Sequence, residues 1–419
     1  MTDAVDRLRK PHLAGTALLL AAALALALAA CGADAARRAQ KPPPFQRFTG
    51  SFYAVSAKLP PRPGVLLRYR PFTTGLPPGG KAWLILYTTR RANGSIGLAS
   101  GIVLAPSGAG SSPLPVIAYA HGTSGIAQAC APSVVPGGEG PFYSGIPAVQ
   151  QVVKQGWALV APDYTGLGAA GPVSYLIGPE EARSLLDSVR AARQLPVVPL
   201  SKRTVVWGYS QGGQAALWTG ALAPSYAPDV KLAGVAAMAP ATEPGVFEDR
   251  AEHNPTIEAI EAYTLVSFAA RYPDVHLEKY VSASALATVR AVASKCLGGP
   301  EPAPKYVESL PGEPWPFTAP LTSGALGRRL GQNVPTRRIS VPLMVAQGLS
   351  DELVLPEVQA RWVAQRCAAG QSMEYRTYPG RGHTTLDDED SPLIGDLFPW
   401  TAQRLEGRPQ APGCTTAVG

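Results

Sequence analysis

From about residue 81 onward, apolar runs of strand length alternate with stretches of helical periodicity, and this alternation limits the folds open to the chain. The runs lie at 82–88, 96–105, 115–120, 157–162, 204–208, 232–239, 342–347 and 373–378. Most are bounded by Gly, Pro or Asp, which end strands and form turns. Between several of them, hydrophobic residues recur on one helical face. Examples are Leu185, Leu186, Val189 and Ala192 within 180–195, and Val358 with Trp362 within 357–369, where Gly370 follows as a stop. Strands joined through helices predict an α/β fold, a mostly parallel sheet flanked by helices. The regularity breaks between 242 and 340, where helical pieces at 256–272 and 283–294 lead into a Pro-rich run at 299–320. So long an insertion between two sheet strands predicts a cap over the site, with 51–241 and 341–419 forming the core.

At the amino terminus, Arg7, Arg9 and Lys10 precede an uncharged, mainly apolar stretch over 13–30 that ends in Leu28-Ala29-Ala30-Cys31-Gly32. A basic start, an apolar run and small residues read as an export signal over 1–30. The last residues resemble a bacterial lipobox, whose Cys receives a diacylglyceryl group. Cys31 is therefore the expected lipidation point, and two acyl chains suffice to hold a protein on a membrane. An uncleaved anchor and cleavage to a soluble protein are the competing readings. Residues 31–50 are rich in Ala, Arg, Gln and Pro without periodicity, as expected of a tether.

Hydrophobic residues make up 46% and charged residues 16%, which suits a large buried core and argues against disorder. The net charge of +7 is spread in pairs such as Arg37-Arg38 and Arg337-Arg338. Without a basic run to follow phosphates, nucleic-acid binding is not expected. Beyond Cys31 there are four cysteines, Cys130, Cys296, Cys367 and Cys414, none in a CxxC pair or near a His at metal spacing. That disfavours a metal site. In an exported chain they permit three pairings and predict two disulfides, buried free thiols being the alternative.

Gly208-Tyr209-Ser210-Gln211-Gly212 fits G-x-S-x-G, a weak signal alone because Gly and Ser are common. Its context is more specific: a strand pattern over 204–207 leads in and a helix pattern over 211–222 leads out. A nucleophile elbow needs this strand–turn–helix, so that the serine hydroxyl stands above the sheet. A serine hydroxyl also needs a base. Of five histidines, His12 lies in the signal, and His253 and His276 lie in the insertion. His121 precedes Ser210 directly after a strand, whereas His383 follows the last strand pattern. In the order nucleophile, acid, histidine, His383 is the expected base. Asp351, in the loop after the 342–347 strand, is the expected acid, with Glu352 its near alternative. The acidic run Asp387, Asp388, Glu389 and Asp390 reads as a cap for the next helix. Backbone N–H groups of Gln211 and Thr123 are the expected oxyanion donors, and His121 is expected to orient the loop that carries Thr123.

Together with Cys130-Ala131-Pro132-Ser133 and Pro162-Asp163-Tyr164-Thr165-Gly166-Leu167-Gly168, these motifs resemble the secretory lipase family of α/β-hydrolases, which includes fungal type-A lipases. The resemblance runs from about Phe52 to Cys414. It implies carboxylic-ester hydrolysis without metal or cofactor, a helical cap, and disulfides Cys130–Cys296 and Cys367–Cys414. Fungal members commonly carry an acidic residue where Thr123 stands here. The expected activity is that of a lipase or esterase working through an acyl-enzyme. Acyl transfer to an envelope sugar or lipid, peptide hydrolysis, and a non-catalytic surface-anchored binding lipoprotein are the alternatives.

Overall fold

A computed structural model describes residues 52–55, 58–134, 146–245, 254–310 and 317–419. The expected signal, the tether and Cys31 lie outside them. The described chain builds a ten-stranded sheet. Its strands are β1 (Leu66–Phe72), β2 (Gly80–Arg90), β3 (Ile96–Pro106), β4 (Leu114–Ala120), β5 (Ala158–Thr165), β6 (Leu200–Tyr209), β7 (Lys231–Met238), β8 (Leu343–Gly348), β9 (Met373–Tyr378) and β10 (Cys414–Val418). The spatial order is β1-β2-β3-β5-β4-β6-β7-β8-β9-β10. The first three strands pair antiparallel, and every pair from β5 to β10 is parallel.

The inner strands are apolar on both faces because helices cover both. The helices of the α/β core are α1 (Val149–Lys154), α2 (Gly178–Ala192) and α3 (Gln211–Tyr226) before the insertion. In β4, Val116 and Ala118 enter one core while Ile117 and Tyr119 enter the other, the period of two that a pleated strand imposes. On one face Leu185, Leu186 and Val189 of α2 pack with Ala215 and Leu217 of α3. On the other, Val149 and Val152 of α1 pack with Trp157 and Trp207.

Between β7 and β8 the chain forms α4 (Pro255–Arg271), α5 (Leu286–Ala293), α6 (Ala303–Glu308) and α7 (Gly324–Gln332). Asn254 starts α4 by accepting from the N–H groups of Thr256 and Ile257, with Pro255 in the first turn where no N–H is required. These helices bury a core of their own, built on Tyr263, Leu265 and Phe268, which also takes in Tyr175, Leu176 and Ile177 from the segment before α2. After β8 come α8 (Pro356–Ala368) and, after β9, α9 (Pro392–Glu406). The acidic run before α9 does not cap it. Ser391 is the cap residue, its hydroxyl accepting from Leu393 N–H, while Asp390 pairs with Arg381 at 2.9 Å. A hydroxyl on the residue next to the first turn wins over carboxylates farther back.

Cys130 is bonded to Cys296, and Cys367 to Cys414. The second bond pins β10, whose five residues are all exposed and which has β9 as its one neighbouring strand. Its closed loop spans a separation of 47 residues, worth about 4 kcal/mol on the chain-entropy account of cross-links. Replacing Cys367 and Cys414 together by Ser is expected to lower unfolding free energy by roughly 2–4 kcal/mol, read from urea midpoints of oxidised protein.

Candidate active site

Ser210 closes the turn between β6 and α3 with φ 56° and ψ −118°, a backbone conformation that costs of order 1–3 kcal/mol in a residue with a side chain. Neighbouring backbone holds it there. Ser210 N–H donates to Met238 O at 2.9 Å, and Ser210 O accepts from Ala241 N–H at 3.1 Å. The flanking glycines are steric requirements. A Cβ on Gly208 would come within 2.0 Å of Gly212 O, and one on Gly212 within 1.9 Å of Ala120 O.

The loops after β8 and β9 bring two more side chains to the serine. They are sewn together by backbone bonds, Ser350 N–H to Arg381 O at 2.9 Å and Leu349 N–H to Tyr378 O at 3.0 Å. His383 Nδ1 lies 2.8 Å from Asp351 Oδ2, and His383 Nε2 lies 3.0 Å from Ser210 Oγ. Asp351 Oδ1 accepts from Leu353 and Val354 N–H, and Oδ2 also accepts from Gln347 Nε2. The carboxylate is thereby aimed at Nδ1, which favours the tautomer that leaves Nε2 free to accept from the serine hydroxyl. Glu352, the alternative acid, accepts from the backbone N–H of His383 at 3.3 Å, while the ring nitrogen Nδ1 faces Asp351. Tyr209 OH donates to His383 O and fixes the same loop from the strand side.

Gln211 begins α3, so its N–H has no acceptor within the helix and sits at the positive end of the helix dipole. Thr123, after β4, lines the same cavity as Ser210 and His383. His121 is buried and stacked on Tyr164 at 4.4 Å, with Nδ1 2.7 Å from Gly122 O. Burial pushes its pKa down to about 4, leaving a neutral ring near neutral pH. Its ring lies against the loop that carries Thr123, and the imidazole nitrogen within hydrogen-bond reach of Ser210 Oγ belongs to His383.

The cavity has a volume of about 440 Å³. Its core wall includes Ile102, Ala161 and Pro162, and its outer wall includes Ile260, Leu297 and Pro304 from the inserted segment. The Cys130–Cys296 bond and a Leu297 N–H to Ser124 O bond of 2.9 Å join that wall to the loop carrying Thr123.

Two buried carboxyls near the site escaped assignment from sequence. Asp163 lines the cavity and accepts from Ser100 Oγ, Ser133 Oγ and Ser133 N–H, yet burial still pushes it up to about 6. Glu181, fully buried on α2, accepts from Gln211 Nε2 at 2.6 Å and Leu176 N–H at 3.1 Å. The acidic pair Glu180-Glu181 was visible, but near a helix start it reads as surface charge complementing the dipole. Burial raises Glu181 to about 8. A raised folded pKa means the native state holds a proton that the unfolded chain has lost, so this group's contribution to stability falls as pH rises from about 4.5 to about 8. Glu181→Gln, which cannot ionise, is expected to gain stability over the parent between pH 5 and pH 8, by a few kcal/mol, measured by urea unfolding at both pH values.

The family model for secretory lipases matches residues 146–413. Lipase A of Moesziomyces aphidis is 25% identical over 246 residues, covering 56% of this chain and 52% of that protein. A secreted triacylglycerol lipase of Malassezia globosa is 26% identical over 356 residues, covering 80% of this chain and 75% of that protein. The chain spans about half the length of the first curated relatives it matches, 52% of that lipase A and 58% of a Candida albicans lipase. Among solved structures, Candida antarctica lipase A aligns with a TM-score of 0.70 at 20% identity, over 85% of this chain and 86% of that one. The rice cell wall degrading esterase of Xanthomonas oryzae aligns at 0.63 and 19%, over 83% and 96%. The fold is that of the α/β-hydrolases, and the chain belongs to the secretory lipase family.

Proposed function

We propose that this protein is a serine carboxylic-ester hydrolase, a lipase or esterase, that works through an acyl-enzyme on Ser210. The observation that carries the reading is the unbroken hydrogen-bonded chain Asp351–His383–Ser210 at the edge of a largely apolar cavity. Ser210 Oγ attacks the ester carbonyl carbon while His383 Nε2 takes the hydroxyl proton, and Asp351 stabilises the imidazolium. The oxyanion of the tetrahedral intermediate accepts from the N–H groups of Thr123 and Gln211. Collapse expels the alcohol, which receives its proton from His383. Water, activated by the same imidazole, then attacks the acyl carbon, and the acid leaves with Ser210 restored. No step calls for a metal or cofactor.

The inserted residues 242–340 serve as the cap over the acyl site, supported by Ile260, Leu297 and Pro304 in the cavity wall. Membership of a secretory family and two disulfides support export. Lipidation at Cys31 after removal of 1–30, with membrane attachment through residues 31–50, rests on the amino-terminal sequence alone.

Ser210→Ala is expected to reduce hydrolysis of p-nitrophenyl butanoate by at least about 10⁴-fold, and Asp351→Asn by about 10⁴-fold through the wrong imidazole tautomer. Turnover that survives Ser210→Ala sinks the mechanism. A chain-length series of esters, with dispersed long-chain triacylglycerol at its end, separates lipase from esterase. Labelled fatty acid is expected to enter the full chain in cells and to be absent from Cys31→Ala; persistence of the label refutes lipidation there.

A further inference from the structure

The two expected oxyanion donors come from distant parts of the chain, the loop after β4 and the first turn of α3. Catalysis requires both N–H groups within about 2.7–3.1 Å of one oxygen. Something must therefore set their separation, and one short stretch of chain reaches both. Tyr175 OH lies 3.0 Å from Thr123 Oγ1, and six residues later Glu181 Oε1 accepts from Gln211 Nε2 at 2.6 Å. We propose that Tyr175 and Glu181 are positioning residues that set the spacing of the Thr123 and Gln211 N–H groups. This rests on the assignment of those two groups as oxyanion donors.

The stretch is stiff enough for the task. Tyr175 is 3% exposed, its ring meets Tyr263 edge-on at 5.9 Å, and its carbonyl accepts from Ser267 Oγ on α4. Leu176, the next residue, has φ 57°, a left-handed conformation that a branched side chain rarely adopts. Its N–H donates to Glu181 Oε1, the same oxygen that holds Gln211. One carboxyl oxygen thus closes the turn that presents Tyr175 and grips the residue after the nucleophile.

Packing alone does not account for the glutamate. Glu181 has no exposed surface, and its second oxygen, Oε2, is buried without a hydrogen-bond partner. An apolar side chain of similar size would fill the space without that desolvation cost. What an apolar side chain cannot supply is the double acceptor. The neighbouring Glu180 is engaged elsewhere, with Arg271, Thr165 Oγ1 and Ala92 N–H.

The test uses the full chain with p-nitrophenyl butanoate as substrate and phenylboronic acid as inhibitor, whose adduct on Ser210 carries an oxygen in the same hole. Tyr175→Phe and Glu181→Met are expected to lower kcat about tenfold, below the roughly 10²-fold that a full 1 Å displacement costs, with KM within about twofold. Boronate affinity is expected to fall by a similar factor. Glu181→Gln keeps an acceptor oxygen and is expected to retain kcat. Wild-type kcat in Tyr175→Phe and Glu181→Met, or a rise in KM alone, overturns the proposal while Ser210→Ala remains inactive. Activity in Ser210→Ala instead overturns the hydrolase reading itself. Should Glu181→Met fail to fold, Tyr175→Phe, which keeps the ring and its packing, decides alone.

Discussion

Backbone crowding where β4, β6 and α3 meet governs the rest of the molecule. Gly212 sits so close to Ala120 O that one methyl group would lie 1.9 Å from it, and Gly208 is nearly as confined, a methyl group there lying 2.0 Å from Gly212 O. Because α3 is pressed onto the end of β4, the loop that leaves β4 must pass beside the first turn of α3. That crowding brings the loop carrying Thr123 up to Ser210, since a Cβ on Gly122 would lie 3.6 Å from the serine's own, and leaves the finer spacing of Thr123 and Gln211 to contacts such as those of Tyr175 and Glu181. The same crowding drives Ser210 into its strained turn. Its bonds to Met238 O and from Ala241 N–H help hold the turn against relaxation.

Much of this frame could be read before any coordinates. Each of the eight apolar runs falls on a strand of the sheet, because inner strands bury both faces and stay hydrophobic along their length. The strands that escaped notice, β1 and β10, are the two edges. β1 carries Arg68 and Arg70, and β10 is exposed throughout, so neither needs an apolar pattern. The helix expected after the acidic run is α9, although Pro399 within it blurs the helical pattern, whereas α1 and α6 span only six residues each, too short for a periodicity to show. At the site, chain order and the scarcity of histidines point to Ser210, Asp351 and His383, and the ring of His383 lies within hydrogen-bond reach of both of the others. Tyr175, Glu181 and Tyr209 were not legible. Their importance lies in whom they touch, and touching residues 30, 52 or 174 positions away leaves no local pattern.

Behind Ser210 and His383 lies a buried polar layer that an apolar core would not need. Glu180 pairs with Arg271 and so ties α2 of the core to α4 of the inserted segment. Asn333 does similar work at the far end. Its carbonyl accepts from Gln214 Nε2 and Trp218 Nε1 of α3, and its side chain from Gly178 N–H of α2. Breaking either contact would strand a charge or an amide out of water. The inserted helices are therefore registered against the core by directional bonds as well as by the packing of Tyr175 and Ile177 into their hydrophobic cluster.

The inserted segment leaves the sheet after β7 and returns at β8, and these two strands are direct parallel neighbours. A departure and a return at adjacent strands make the segment a graft: relatives could trade it whole without altering any strand pairing. One bond resists that freedom. Cys296 travels with the graft while Cys130 stays with the host, so each exchange carries away half of a cystine. Recombination that reshapes the outer wall of the cavity must therefore find a host whose loop already offers the matching thiol, or leave an unpaired sulfur in the chimera.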